Sequence, residues 1–413
     1  MSDDAAAALS LLNAAAVRTR ADRMLALGLG DTLPNFRVDI ARLKDAVDLV
    51  VATTLKNYPS LEVPLHSRWR HFVTCGCDRS AALAEDPTDS RSRARAAFDL
   101  AIISVLLDAG AGPRWHYRDP ITKREFTRSE GLALASLMMF AQGEFSGSAA
   151  RASVDRLRAD AATLANLSTA TLREGFQASP DNPVIGLEGR AELLRALGRL
   201  VLAHPEVFGR EDTPRPGGFF DHLVAKAEDG AIPAPLILSE LLQQFGPIWP
   251  SRMTLGGVPL GDCWRHPAIV TDDATSGLVP LHKLSQWLAY SLIEPLQQAG
   301  FAVTDIDGLT GLAEYRNGGL FVDTEILTLR EPAEAMREHD VGSPLVVEWR
   351  ALTVPLLDRL AAAMRARLNR SAADLPLARV LQGGTWAAGR ALAFARRADG
   401  SPPIKVVSDG TVF

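Results

Sequence analysis

Cysteine is scarce in this chain. Among 413 residues there are only Cys75, Cys77 and Cys263, and so sparse and odd a set builds no disulfide framework and fits a reducing compartment. Long apolar runs are missing too: none reaches the ~18 residues that a membrane-spanning helix requires. The amino terminus opens Met1-Ser2-Asp3-Asp4, where a secretory signal would place positive charge ahead of its apolar stretch. Ser2 or Asp3 is placed instead to cap a helix over the alanine-rich residues that follow. The cytoplasm is therefore the expected address. There is no excess of positive charge either: 44 Lys and Arg stand against 49 Asp and Glu, a net charge of −5. Nucleic acid is not favoured as a partner, and neither is a membrane. A local cluster of Arg and Lys can still hold a small anion. No repeat of fixed period appears, and no low-complexity tract beyond the early alanines.

What is present reads as an ordinary globular protein, 47% hydrophobic and 23% charged. The length suffices for one large core or two moderate ones. Apolar residues recur at i, i+3, i+4 and i+7 over 38–55, 93–109, 190–205 and 348–368, the signature of helices with one buried face. Strand-like runs are few and short: 301–305, 319–323 and 402–413. The expected fold is mainly α with minor short β segments. It is read as a single mostly helical domain over 1–413, with an N-terminal lobe over 1–140 as an option and the core with its site in 185–413. The small-residue-rich stretch 140–185 reads as an excursion, and Asp212–Gly218 as a loop.

Five stretches concentrate polar and aromatic side chains. His66–Phe72 sets Arg68, Arg70, His66 and His71 around Trp69, which suits an anion or a stacked ring, or equally a surface where Arg stems cover a half-buried Trp. Cys75 and Cys77 nearby raise the thought of zinc, but no second pair follows at a ligand spacing, so two small core residues is the preferred reading. Residues 114–131 lead through Trp115-His116-Tyr117 to a helix opening at Arg128 with Thr127 as cap, an ordinary capped loop unless an anion sits there. Residues 246–267 form a long loop with Trp249, Trp264, Asp262 and His266; loops of that length are usually functional or mobile. Lys283 and Trp287 fall one turn apart on one helix face. Last comes Asp305–Arg316. If its middle is helical, Asp307 and Glu314 share a face two turns apart with Thr310 between them. A carboxylate so held and flanked by Arg316 can stabilise an oxocarbenium-like centre or orient water; taken alone, it is also what a surface charge pair looks like.

Three pieces of this chain resemble the core of the queuosine 5′-phosphate N-glycohydrolase family. They are Lys283 with Gln286, then Asp305-Ile306 with Leu309-Thr310 and Ala313-Glu314-Tyr315-Arg316, then Glu348, Arg350 and Ala351. Over nearly the full length, the His66–Phe72 stretch, Arg128–Phe140, Gly246–Pro250, Leu260–Trp264, Leu312–Gly319 and the terminal Ser408–Phe413 resemble the uracil-catabolism protein family. The first resemblance implies an all-helical architecture related to helical DNA glycosylases, and a carboxylate that cleaves a base from ribose 5-phosphate. At that carboxylate the glycohydrolases carry aspartate where this chain has Glu314.

Together the resemblances imply an N-ribosyl hydrolase that cuts the C1′–N bond of a ribosylurea-type, 5′-phosphorylated intermediate into urea and ribose phosphate. In that reading Glu314 stabilises charge at C1′ and positions or deprotonates water. Arg316 and Lys283 hold the phosphate or Glu314, and Tyr315 bonds a ribose hydroxyl. Asp262 or Asp307 accepts from urea N–H groups, and His266 or His71 protonates the leaving group. Trp264, Trp287, Arg68, Glu348 and Arg350 complete the expected substrate-binding set. Glycosidic hydrolysis implies no metal and no organic cofactor. The rivals are an amidohydrolase or deaminase acting on the opened ring, for which the His-x-Glu with Pro-Cys-x-x-Cys pattern is absent, and a non-catalytic pathway partner.

Overall fold

The computed structural model of the chain describes residues 2–81, 89–147, 156–209, 214–249 and 253–407. It is mainly helical, and among the described residues the strands occur only as two-stranded pairs. No described helix is long and apolar enough to cross a membrane. The chain divides into two compact units, each assembled from separated stretches: Met1–His66, Ser251–Gln286 and Asp305–Val407 in the first, and Ser67–Pro250 and Trp287–Thr304 in the second.

The first unit is built on the helix Pro344–Leu368. Its first turn is set by Pro344 and by Ser343, whose hydroxyl accepts from the Val346 N–H. From Leu345 to Leu357 every side chain is buried, the mark of a core helix rather than an amphipathic one. Helices Ala14–Leu29, Leu43–Asn57 and Tyr315–Asp323 pack on it. Gly318 makes the last of these contacts possible: a Cβ there would lie 2.8 Å from the Trp349 indole, so only a bare backbone can cross at that height. Ser2 does cap Asp3–Ser10, accepting from Ala5. Cys263 joins Ala8, Leu11, Leu260 and Leu278 in an apolar cluster, and burial pushes its thiol up to about 12.

In the second unit the helix Ser90–Leu106 is capped by Asp89 and buried from Ala96 through Leu106. Asp99 on this helix accepts from the N–H groups of Ala159 (3.0 Å) and Gly217 (2.5 Å) and from Arg215 Nε (2.8 Å). Burial raises the acid's pKa in spite of that paired charge. Arg190, equally buried, caps the carbonyls of Leu107, Ala109 and Gly110.

Several expectations change. The strand-like run 319–323 lies inside the helix Tyr315–Asp323, where the tertiary environment overrides β propensity. Residues 253–267 are organised rather than loose: Thr254–Leu255 pairs with Val258–Pro259, and Cys263–Arg265 with Leu278–Pro280. Cys75 and Cys77 are exposed at the turn of a hairpin, not core residues. The middle of Asp305–Arg316 is not helical. A short 3-10 turn at Ile306–Gly308 gives way to an extended run, and the helix begins only at Tyr315. Asp307 and Glu314 therefore share no helical face. Parts of the 140–185 excursion and of the Asp212–Gly218 loop, with the terminal Ser408–Phe413, lie outside the described residues.

Candidate active site

In the first unit, Glu314 is the N-cap of the Tyr315–Asp323 helix. Its carboxylate accepts from the N–H of Arg316 (2.8 Å) and of Asn317 (2.6 Å), which places a negative charge at the positive end of the helix. The residue is half-buried at its surface, yet protein surrounds the carboxyl closely. Burial raises its pKa above the usual range, outweighing the two N–H bonds and the positive charges of Lys283 and Arg316 that pull the other way. A carboxylate so tuned is suited to proton transfer nearer neutrality.

Arg316 follows one residue on and is buried. Its guanidinium carbon lies 5.1 Å from the centre of the Tyr315 ring and 5.2 Å from that of Trp386, distances at which a cation is attracted to the ring face. The Arg390 guanidinium is 5.5 Å from the same Trp386 ring. Arg316 Nη1 is buried and has no hydrogen-bond partner, a donor that native interiors rarely leave unused. Trp386 directly follows a π-helical turn, Leu381–Thr385, and opens the helix Trp386–Arg396; such turns are frequent at functional sites. Gln382 in that turn is 2.9 Å from His66 Nδ1.

Lys283 opens the helix Lys283–Gln298, and its N–H donates to Asp262 Oδ2 at 2.9 Å. One turn along, Gln286 grips the extended run before Glu314: its Oε1 accepts from the Thr310 N–H at 2.8 Å and its Nε2 donates to the Thr310 hydroxyl.

Asp262 is not open to a ligand. Although burial works against its charge, Arg350 and the donors of Trp264 and Lys283 hold its pKa well below the usual carboxylate range. Arg350 meets it with two bonds, 2.9 and 2.7 Å, and Trp264 Nε1 adds a third at 2.6 Å. Trp264 thus has its N–H committed within the fold. Asp307 is likewise committed: it accepts from Arg365 (2.5 Å) and from the Leu377 N–H (2.6 Å). Glu348 accepts from the N–H groups of Asn35 and Phe36 and from the Asn35 side chain. His266 lies wholly buried with Nε2 3.2 Å from Glu348, and its Nδ1 accepts from the Ala268 N–H. The imidazole is thus enclosed beside Glu348 of the core helix, although its Nε2 makes no hydrogen bond there. Asp262, His266, Glu348 and Arg350, expected at the substrate, are buried and bonded inside the fold, whereas Asp307 and Trp264, though hydrogen-bonded, remain partly exposed.

In the second unit, Arg68 is fully buried. It donates to Ser104 Oγ (2.7 Å) and pairs with Asp108 (3.0 Å), and Nη1 lies 3.2 Å from His71 Nδ1. Burial lowers the guanidinium's pKa against the pull of Asp108. The His71 ring packs 5.8 Å from Trp287. The expected residues are therefore gathered in two groups: Lys283, Glu314, Tyr315 and Arg316 in one unit, and Arg68, His71 and Trp287 in the other. Gln382, Trp386 and Arg390 were outside the residues singled out from the sequence, and His66 was singled out only as part of the His66–Phe72 stretch. Gly383-Gly384 ahead of Trp386 is the one local sign of an unusual turn there.

A family model described as "Protein of unknown function (DUF1688)" matches residues 10–413. The chain belongs to this family. It is 36% identical to Protein urg3 of Schizosaccharomyces pombe, over 98% of each chain. It is 35% identical to Uracil catabolism protein 4 of Lachancea kluyveri, over 92% of each. The full-length resemblance to uracil-catabolism proteins read from the sequence holds at this level.

Proposed function

We propose that this family member acts in uracil catabolism as an N-ribosyl hydrolase. Its substrate is taken to be a ribosylurea-type intermediate, 5′-phosphorylated, which it hydrolyses at the C1′–N bond. The observation that carries the reading is Glu314: a carboxyl with a raised pKa, fixed on a helix N-terminus, with Lys283 and Arg316 as the charges acting on it. The family relation, through the printed name of the Lachancea kluyveri protein, supports the pathway; the Ala313–Arg316 resemblance to queuosine glycohydrolases supports the bond.

In this reaction the electron pair of the C1′–N bond leaves with the urea nitrogen, which takes a proton, while water adds to C1′. The products are urea and ribose 5-phosphate. Ionised Glu314 stabilises positive charge developing at C1′ and accepts a proton from the attacking water. Arg316 and Lys283 supply charge for the phosphate. Glutamate in place of aspartate extends the carboxylate by one methylene, and holding both its oxygens on backbone N–H groups limits how far that length can wander.

Incubation of the purified protein with ribosylurea 5-phosphate is expected to release urea and ribose 5-phosphate in equal amounts. No urea above that from a Glu314→Gln control overturns the reading. Urea-free release of ammonia favours the amidohydrolase class instead. The pH dependence follows from the sign of the Glu314 shift. A group that must be ionised, and whose pKa is raised, loses activity as pH falls through a midpoint above its ordinary value of 4.5. The acid limb of kcat is therefore expected above pH 4.5 and absent from the Gln variant's residual rate; a limb at or below 4.5 removes Glu314 from that role.

A further inference from the structure

We propose that the buried Asp262–Arg350 ion pair is the device that sets Lys283 against Glu314, making both its members positioning residues of the reaction proposed above, on which this inference rests. The pair stands between two segments far apart in sequence. On one side Asp262 Oδ2 accepts from the Lys283 N–H at 2.9 Å, and the Asp262 carbonyl accepts from Leu281 (2.9 Å) and His282 (3.1 Å). These bonds hold His282 in the left-handed region at φ 47°, the bend that turns the chain into the Lys283 helix. His282 Nε2 lies 3.0 Å from the Leu11 carbonyl oxygen. On the other side Arg350 Nε donates to the carbonyl of Ala313 at 3.1 Å, the residue directly before Glu314. The guanidinium fork then closes on both Asp262 oxygens, at 2.9 and 2.7 Å. Trp264 fixes the remaining orientation of the carboxylate.

The energetics favour positioning over stability as the reason for this arrangement. Taking two charges out of water costs several kcal/mol per ion, and a well-packed apolar replacement is often no less stable. What apolar side chains cannot do is hold two backbone segments at fixed bond lengths and angles. Arg350 does so with a planar fork whose three bonding nitrogens lie in one rigid group, and lysine has no equivalent. Lys283 and Glu314 are the two ends so joined, and they are the charges that act on each other in the candidate site.

The test is Arg350→Lys in the full-length protein, with Arg190→Lys as a control that loosens an equally buried guanidinium elsewhere. Arg350→Lys is expected to fold, to lose about 10- to 100-fold in kcat, as misplacement by about 1 Å does, and to keep KM within about threefold. The control is expected to keep its kcat. A folded Arg350→Lys with unchanged kcat overturns the proposal, as does an equal loss in the control. Should Arg350→Lys fail to fold, Asp262→Asn, which keeps shape and one acceptor, is read the same way. A second measurement needs no substrate. The amide resonances of Arg316 and Asn317, whose N–H groups bond Glu314, report its titration. In the variant their midpoint is expected to rise by about half a unit or more as the Lys283 charge recedes. An unmoved midpoint overturns the positioning proposal; absence of urea from the wild-type protein, by contrast, overturns only the reaction.

Discussion

Glu314→Gln is expected to lower kcat for urea release by about a thousandfold, within the range that removal of a positioned acid–base group costs, while KM changes little. The argument is one of isolation. Glutamine keeps the length of the side chain and one carbonyl oxygen, so one of the bonds from Arg316 and Asn317 survives and the helix keeps part of its cap. What disappears is the negative charge that the proposed reaction sets against C1′, and with it the ability to accept a proton. Glu314→Asp tests the geometry separately. It retains the charge, matches the residue found in the queuosine glycohydrolases, and draws the carboxylate back by about one bond length. Initial rates of urea release over a range of substrate concentrations check both variants. A Gln variant within about threefold of wild type in kcat removes Glu314 from the chemistry. An Asp variant as slow as the Gln variant locates the requirement in reach rather than in charge.

Arg215→Met is expected to destabilise the protein by about 3–5 kcal/mol, the cost of leaving one member of a buried ion pair without its partner. That amounts to a fall of about 10 °C in melting temperature for a unit of this size. Arg215 gives Asp99 two bonds, 2.8 Å from Nε and 2.5 Å from Nη2, and Asp99 has no exposure to water through which to recover the loss. The sign of the pH dependence separates this mechanism from a packing defect. The Asp99 pKa is already raised in the folded protein, and losing the guanidinium raises it further. A carboxyl with a folded pKa above its unfolded value costs stability while ionised, and that cost is relieved as pH falls through the folded pKa. Thermal melts at falling pH should show the variant closing its gap to wild type, and Asp99→Asn in the same background should close it at neutral pH. A gap that is constant with pH assigns the loss to packing.

Much of this fold was legible because helices announce themselves locally. The periodic stretches 93–109, 190–205 and 348–368 became helices Ser90–Leu106, Leu187–Ala203 and Pro344–Leu368, since a run of apolar residues at helical spacing has few other ways to bury itself. Ser2 was readable as a cap for the same reason. The site was legible only in part. Lys283, Glu314, Tyr315 and Arg316 stood out by type and order. The employment of Asp262 did not, because its partner Arg350 lies 88 positions away and no local pattern records so distant a bond. Asp307 was misread for a local reason. The extended run from Leu309 to Ala313, pinned by Gln286 through Thr310, interrupts what a helical wheel takes as continuous. The division into two units escaped sequence reading because the chain passes between them inside helices and loops of ordinary composition, as at Gln286 and Trp287 within one helix.

Gly318 and Trp349 cannot vary independently. Any side chain at 318 would begin 2.8 Å from the indole and 2.9 Å from the Thr353 hydroxyl, so the helix that Glu314 caps keeps its seat only while 318 is bare, or while the ring at 349 shrinks and Thr353 gives way with it. Drift at either position is gated by the other, and a change in the order of large first, small second passes through an intermediate in which the helix that Glu314 caps is displaced. The viable route runs through the smaller ring first. A position one turn from Glu314, whose own N–H donates to the Glu314 carbonyl, thus narrows the paths by which relatives of this chain can diverge while keeping Glu314 where it stands.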